Sequence, residues 1–261
     1  MELGLKSRVA LVTAASRGLG RACALALAAE GARVAVAARD RAALEALVGE
    51  IEAHGSEGLA IPLDLTDGPA IHAATELIGE RWGGIEILVV NAPGPPSGPF
   101  ERISLEDWKS ALDMNVLSAV RLLHEVLPGM RARRWGRVVF ISTVGVKTAQ
   151  PNMVLSNATR LAVAGIAKTV SLETAADNVL LNVVAPGPIE TDRMVELIEA
   201  TARRDGLSVD AARQRWLEDV PLGRMGRPED VSSLVVLLCS DPCSFMTGAI
   251  VPVDGGKAHG Y

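Results

Sequence analysis

Short apolar runs alternate along this chain with longer stretches of helical spacing. Val9-Ala10-Leu11-Val12-Thr13 carries almost no polar position, the pattern of a strand buried on both faces rather than one. An Ala/Leu-rich helix is predicted over 21–30, ending at Gly31. The next strand is predicted over 33–38, followed by an Ala/Leu/Glu helix over 41–53. Five further strand runs lie at 59–63, 87–91, 137–142, 180–184 and 249–253, and helical stretches separate most of them. Strands alternating with helices imply parallel pairing through right-handed crossovers. The predicted fold class is therefore α/β, a Rossmann-type doubly wound parallel sheet of about seven strands flanked by helices.

One stretch interrupts the alternation. The Pro/Gly cluster from Ala92 to Pro99 has the composition of a linker, but it follows a buried strand. It also precedes Ser104, which has Asp107 three residues on, a helix-start pairing. It reads as a rigid loop at the carboxyl edge of the sheet. No repeat or low-complexity tract appears, and residues 1–261 are expected to form one domain.

Composition narrows the class of protein. Hydrophobic residues at 49% and charged residues at 22% suit a soluble globular chain. A net charge of -5 argues against a protein held on nucleic acid by bulk positive charge. No run approaches the ~18 uncharged apolar residues of a membrane span. The first residues mix charges of both signs and then enter a strand, unlike a signal or transit peptide, so a cytoplasmic location is expected. Cys23, Cys239 and Cys243 are odd in number and sit in apolar surroundings, which predicts reduced buried thiols. His54, His72, His124 and His259 lack ligand spacing, so no metal is expected and the histidines are placed at solvated or interfacial positions.

The chemistry-bearing segments fall in the loops between predicted elements. Thr13-Ala14-Ala15-Ser16-Arg17-Gly18-Leu19-Gly20 joins the first strand to the first helix. Its glycines permit a tight turn, and the helix start offers free N–H groups to a pyrophosphate. Asn91-Ala92 closes the fourth strand, and Pro186-Gly187-Pro188-Ile189-Glu190-Thr191 follows the sixth. Pro221 to Asp230 and Thr247 to Gly256 complete an ordered series of motifs.

From about residue 6 to 256 this series resembles the short-chain dehydrogenase/reductase family, most closely its 3-oxoacyl-carrier-protein-reductase-like branch. Ala14 stands where the family's first turn glycine lies, and Val90 and Pro93 depart from its Asn-Asn-Ala-Gly signature. The resemblance implies cofactor contacts from Thr13, Ser16, Arg17, Gly18, Leu19 and Gly20. It further implies that Asp64 and Leu65 meet adenine, that Asn91 and Ala92 line the seat, and that Pro186, Gly187, Ile189 and Thr191 lie beside the nicotinamide. A NAD site usually ends its second strand with an acid for the ribose 2′-hydroxyl. Here the strand ends Ala37-Ala38-Arg39, and Arg39 with Arg17 suits a 2′-phosphate. NADP(H) is predicted over NAD(H). Asp40 is expected to point outward and open the next helix.

The catalytic residues have been rewritten. The family uses a serine, a tyrosine, a lysine four residues after it, and an asparagine. The chain has one tyrosine, its last residue, Tyr261. Asn115 fits the asparagine. One alignment frame gives Thr143, Ser156 and Arg160; the other gives Ser142, Leu155 and Thr159. The first keeps hydroxyl, hydroxyl and cation in order, and Arg160 would also hold the cofactor ribose. Lys147 and Tyr261 are weaker candidates for the lost proton donor.

Three readings follow. The first is an NADP(H)-dependent oxidoreductase that interconverts a small-molecule carbonyl and a secondary alcohol, with an acyl-thioester-like substrate among the options. The second is a dinucleotide-binding sensor or partner subunit without redox turnover, and the third a non-redox lyase or dehydratase. The resemblance implies that residues 194–220 close over the substrate, and Met194, Leu197, Ile198 and Trp216 are expected to line an apolar pocket there. The resemblance implies a homotetramer or homodimer, and the apolar runs at 116–127, 161–172 and 231–238 fit that. No nucleic-acid or membrane partner is expected.

Overall fold

Side chains that alternate along each strand feed two separate apolar layers. Leu11, Leu88, Val138 and Phe140 face one side of the sheet, while Ala10, Val12, Val89 and Ile141 face the other. The strands are β1 (Val9–Thr13), β2 (Arg33–Ala38), β3 (Gly58–Pro62), β4 (Ile87–Val90), β5 (Gly136–Ile141), β6 (Val179–Pro186) and β7 (Ile250–Val253). In the computed structural model, which describes residues 2–259, they form one parallel sheet in the order β3-β2-β1-β4-β5-β6-β7. Tyr261 lies outside the described residues.

Helices cover both faces. On one side pack α1 (Gly18–Ala29), α2 (Arg41–Ala53) and α9 (Pro228–Cys239); on the other pack α3 (Gly68–Trp82), α5 (Ser118–Arg133) and α6 (Val154–Thr174). Leu27, Leu44, Ile51 and Val235 are fully buried on the first side, and Ile78, Leu122 and Met130 on the second. Each such side chain contributes ~1.5–3 kcal/mol of burial free energy. α4 (Leu105–Leu112) opens with the predicted pair, Ser104 and Asp107 capping one another reciprocally. Between α4 and α5 the helix loosens into a π-helical turn over Asp113–Leu117.

Two helices stand apart from the sheet, α7 (Asp192–Asp205) and α8 (Val209–Leu217). Met194, Ile198, Ala202, Ala212 and Met225 form a small core between them. Trp216 packs on that core and its indole N–H donates to the Thr201 hydroxyl at 3.3 Å. Ile198 and Trp216 therefore hold the two helices together instead of lining the substrate pocket predicted for them.

Cys23, Cys239 and Cys243 are free thiols. Burial pushes the Cys23 thiol up to about 12. Cys243 lies beyond the end of α9 and does not share a helix face with Cys239. The apolar run at 231–238 is mostly core, with Val231, Val235 and Leu238 buried, whereas Leu117, Leu161 and Leu172 remain exposed.

Candidate active site

The sheet reverses its strand order between β1 and β4, one leading outward to β2 and β3, the other to β5, β6 and β7. Loops leaving those two strands diverge, and a cleft opens at the carboxyl edge. Its volume is about 730 Å³.

The turn after β1 forms one wall. α1 begins there with no side-chain cap and no acidic residue in its first turn, so none of its own side chains competes for its first N–H groups. Ser16, Arg17, Gly18 and Leu19 line the cleft. Gly20 does not; it lets the helix press against β1, where a Cβ would sit 2.5 Å from the Ala14 carbonyl oxygen. Ala14 holds a left-handed φ of 47°, the conformation a glycine would adopt freely. Thr13 is also misassigned as a contact, being fully buried within the sheet. Its hydroxyl donates to the Asn91 carbonyl at 2.7 Å and accepts from the Asn91 N–H at 2.9 Å, tying β1 to the end of β4.

The far wall follows β2 and β3. Arg39 is exposed at the cleft edge, and Asp40 turns aside to cap α2, accepting from the Ala43 N–H at 3.1 Å. Asp64 and Leu65 line the cleft. The Thr66 backbone N–H and hydroxyl hold the Asp64 carboxyl below the usual carboxylate range. Arg17 lines the cleft, as Arg39 does. It reaches over the cleft to α7, 3.4 Å from Asp192 and 3.9 Å from Glu196. Both pairs are exposed and worth ~0–1 kcal/mol, so a phosphate could displace either.

α6 supplies the floor. Ser156 and Arg160 are one turn apart on its cleft-facing side, whereas Leu155 and Thr159 are fully buried on the other side. The Thr159 hydroxyl lies 2.8 Å from the Leu155 carbonyl and 3.3 Å from Asn115 Oδ1. Thr143, Ser156 and Arg160 thus share the cleft, whereas Leu155 and Thr159 do not line it; Ser142 lines it beside Thr143. The Arg160 guanidinium donates to the Ile141 carbonyl at 3.0 Å and the Ala92 carbonyl at 2.7 Å, joining the ends of β5 and β4. Burial pushes its pKa down to about 10, which leaves it charged at neutral pH.

Asn115 is 2% exposed and absent from the cleft wall. Its Nδ2 donates to the Pro93 carbonyl at 3.0 Å, so it supports the loop that does line the cleft. Lys147 is exposed outside the cleft and is no donor to it. Asn91, Ala92, Pro186, Gly187, Ile189 and Thr191 all line it, and Thr191 caps α7. The sequence reading missed Arg193, whose guanidinium spans from α7 to the Pro95 carbonyl at 2.9 Å. An arginine in the first turn after the Thr191 cap was the available signal. Among the described residues no group of His, Cys, Asp and Glu is arranged to hold a metal, and no helix is long and apolar enough to cross a membrane.

This fold, with a glycine turn and uncapped helix at a carboxyl-edge cleft, defines the doubly wound α/β class of nucleotide-binding architecture. The chain belongs to the short-chain dehydrogenase/reductase family: the family model described as Enoyl-(Acyl carrier protein) reductase matches residues 13–258. It is 36% identical to the 3-oxoacyl-[acyl-carrier-protein] reductase FabG of Aquifex aeolicus, over 98% of this chain and 99% of that one. Among solved structures it is similar to L-sorbose reductase from Gluconobacter frateurii complexed with NADPH and L-sorbose. That match has a TM-score of 0.94 and 27% identity, covering 100% of both chains. An actinorhodin polyketide ketoreductase with NADPH also matches, with a TM-score of 0.94 and 30% identity over 99% of this chain and 100% of that one.

Proposed function

We propose that this protein is an NADP(H)-dependent oxidoreductase interconverting a carbonyl and a secondary alcohol. Thr143, Ser156 and Arg160 stand where the family's serine, tyrosine and lysine work. The observation that carries this reading is that Ser156 and Arg160 line the same cleft as the glycine turn and Pro186-Gly187. The names of the relatives, reductases that include NADPH complexes, support it.

When bound, NADP(H) supplies or accepts the hydride. The N–H groups at the start of α1 take the pyrophosphate, Arg39 takes the 2′-phosphate, and Arg160 takes ribose hydroxyls. Thr143 and Ser156 hydrogen-bond the substrate oxygen. Neither hydroxyl is a strong acid and a guanidinium does not deprotonate, so water admitted to the cleft completes the proton balance.

Calorimetric titration tests the cofactor assignment. NADPH should bind ~10–100-fold more tightly than NADH, the worth of charge-assisted bonds to one phosphate. Arg39→Ala should erase most of that preference. Equal affinity for the two nucleotides in the unaltered protein would reject NADP(H). In turnover, Ser156→Ala should slow NADPH consumption, and a rate indifferent to Thr143, Ser156 and Arg160 together would reject the site.

A second reading, dinucleotide binding without turnover, is favoured by one observation: among the described residues no phenol, imidazole or thiol lines the cleft. It predicts tight nucleotide binding with no carbonyl consumed. We also propose a homodimer or homotetramer built over exposed Leu117, Leu161 and Leu172. Sedimentation at the monomer mass of 27.4 kDa would contradict that.

A further inference from the structure

Among the described residues, the polar links that α7 makes across the cleft come from two arginines. At one end Arg17, from the glycine turn, lies 3.4 Å from Asp192 and 3.9 Å from Glu196. At the other, Arg193 in the first turn of α7 donates through Nη1 to the Glu196 carboxylate at 3.2 Å. Its Nη2 donates to the Pro95 carbonyl at 2.9 Å. Glu196 thus joins the two, and Arg17, Glu196 and Arg193 run as a line of side chains from the start of α1 to the loop between Ala92 and Pro99. All three line the cleft.

The acceptor of this line is rigidly placed. Arg160 holds the Ala92 carbonyl, Asn115 holds the Pro93 carbonyl, and farther along the Gly98 N–H donates to the Asn152 carbonyl at 2.8 Å. Pro93, Pro95, Pro96 and Pro99 fix their own φ angles between these ties. Gly94 lets the guanidinium lie close, since a Cβ there would sit 3.1 Å from Arg193 Nε.

The cleft beside Arg193 is apolar. Met114, Met153, Met194 and Leu197 line it, and a bridge between Gly98 and Met153 sets that methionine against the loop that receives Arg193. Arg193 brings no unpaired charge to this end, because one nitrogen meets a carboxylate of its own helix and another a carbonyl. A hydroxylated or ionised substituent would give up water there without gaining partners, whereas an apolar one would not.

We propose that Arg193 is a specificity-determining residue. Tied to Pro95, its side chain bounds the apolar end of the cleft, so the protein takes compact, uncharged, apolar ketones or secondary alcohols and excludes those with bulk remote from the reacting carbon. The proposal rests on the oxidoreductase reading and narrows it.

Cyclohexanone and para-tert-butylcyclohexanone share a ring and a carbonyl and differ in bulk on the far side. With NADPH, kcat/KM in the unaltered protein should favour cyclohexanone. Arg193→Ala should shift the ratio ~10–100-fold toward the tert-butyl ketone, the range that overpacking by a few methyl groups spans. A ratio of two substrates on one variant cancels any loss of folded protein. Arg193→Lys keeps the charge and a donor for the Pro95 carbonyl, and should retain most of the selectivity. Dihydroxyacetone, compact but hydroxylated, should be a poorer substrate than cyclohexanone. A ratio unmoved by Arg193→Ala, or dihydroxyacetone preferred to cyclohexanone, would overturn the proposal and leave the oxidoreductase reading standing. Absence of turnover with all three ketones counts against that reading instead. Calorimetric binding of cyclohexanol and para-tert-butylcyclohexanol in the presence of NADP+, compared between the unaltered protein and Arg193→Ala, then decides the role of Arg193 by the same ratio.

Discussion

Replacing Ser156 with tyrosine and Arg160 with lysine is expected to raise carbonyl turnover by about 10²–10⁴-fold, the usual worth of a positioned general acid. Ser156 already faces the cleft from α6, so the larger ring extends into open volume and not into the core. A phenol titrates near ~10, and a cation one turn away lowers that toward neutrality. The serine alcohol is a far weaker acid. Lysine replaces a guanidinium bonded to the Ile141 and Ala92 carbonyls with a single ammonium able to answer the phenol. The pH dependence separates this explanation from a general improvement in binding. In the double variant, kcat for reduction should fall as pH rises through the phenol pKa, because the donor is lost. Among the described residues the unaltered protein has no phenol in its cleft, so its kcat should show no such fall. NADPH consumption followed at several pH values measures both, and a double variant no faster than its parent would refute the assignment of Ser156 and Arg160.

What could be read beforehand follows from what periodicity encodes. The run at Val9–Thr13 announces its strand because a parallel strand buried on both faces has no polar positions to spare. Sheet neighbours are not in that signal. The alternation of elements implies parallel pairing through right-handed crossovers, while the order β3-β2-β1-β4-β5-β6-β7 is seen only in the structure. The site divides in the same way. Glycines at 18 and 20 were legible because a tight turn needs them, but which side chains enter the cleft depends on rotation about a strand or helix. Thr13 and Asn115 occupy their motif positions and yet point into the protein, Asn115 from a π-helical turn that shifts the register of the surrounding helix. Arg160 was legible as a cation; its bonds to the Ile141 and Ala92 carbonyls were not, because they depend on residues at the ends of β5 and β4 far away in sequence. Arg193 was missed for a related reason, since its acceptor, Pro95, lies 98 residues away.

Gly20→Ala should weaken NADPH binding at least ~10-fold, since a misplaced α1 loses several N–H contacts to phosphate at once. The added Cβ would lie 2.5 Å from the Ala14 carbonyl oxygen and 2.9 Å from Asn91 Nδ2. Asn91 Nδ2 itself donates to that carbonyl at 3.3 Å, so neither atom can retreat without parting the ends of β1 and β4. Overpacking of this kind costs ~1–3 kcal/mol, and for a chain of this length each kcal/mol moves Tm by ~2–4 °C. Gly18→Ala makes an instructive control. Its Cβ would meet nothing nearer than the Thr191 methyl at 3.6 Å, yet its φ of +57° is left-handed. That substitution carries a conformational cost of ~1–2 kcal/mol without a clash, and the start of α1 keeps its place. Stability should therefore fall in both variants, while nucleotide affinity falls much further in Gly20→Ala. Thermal unfolding and calorimetry on the two proteins separate the effects. If both lose NADPH affinity in proportion to their stability, the turn matters only as part of the fold, and the pyrophosphate seat at the start of α1 is misassigned.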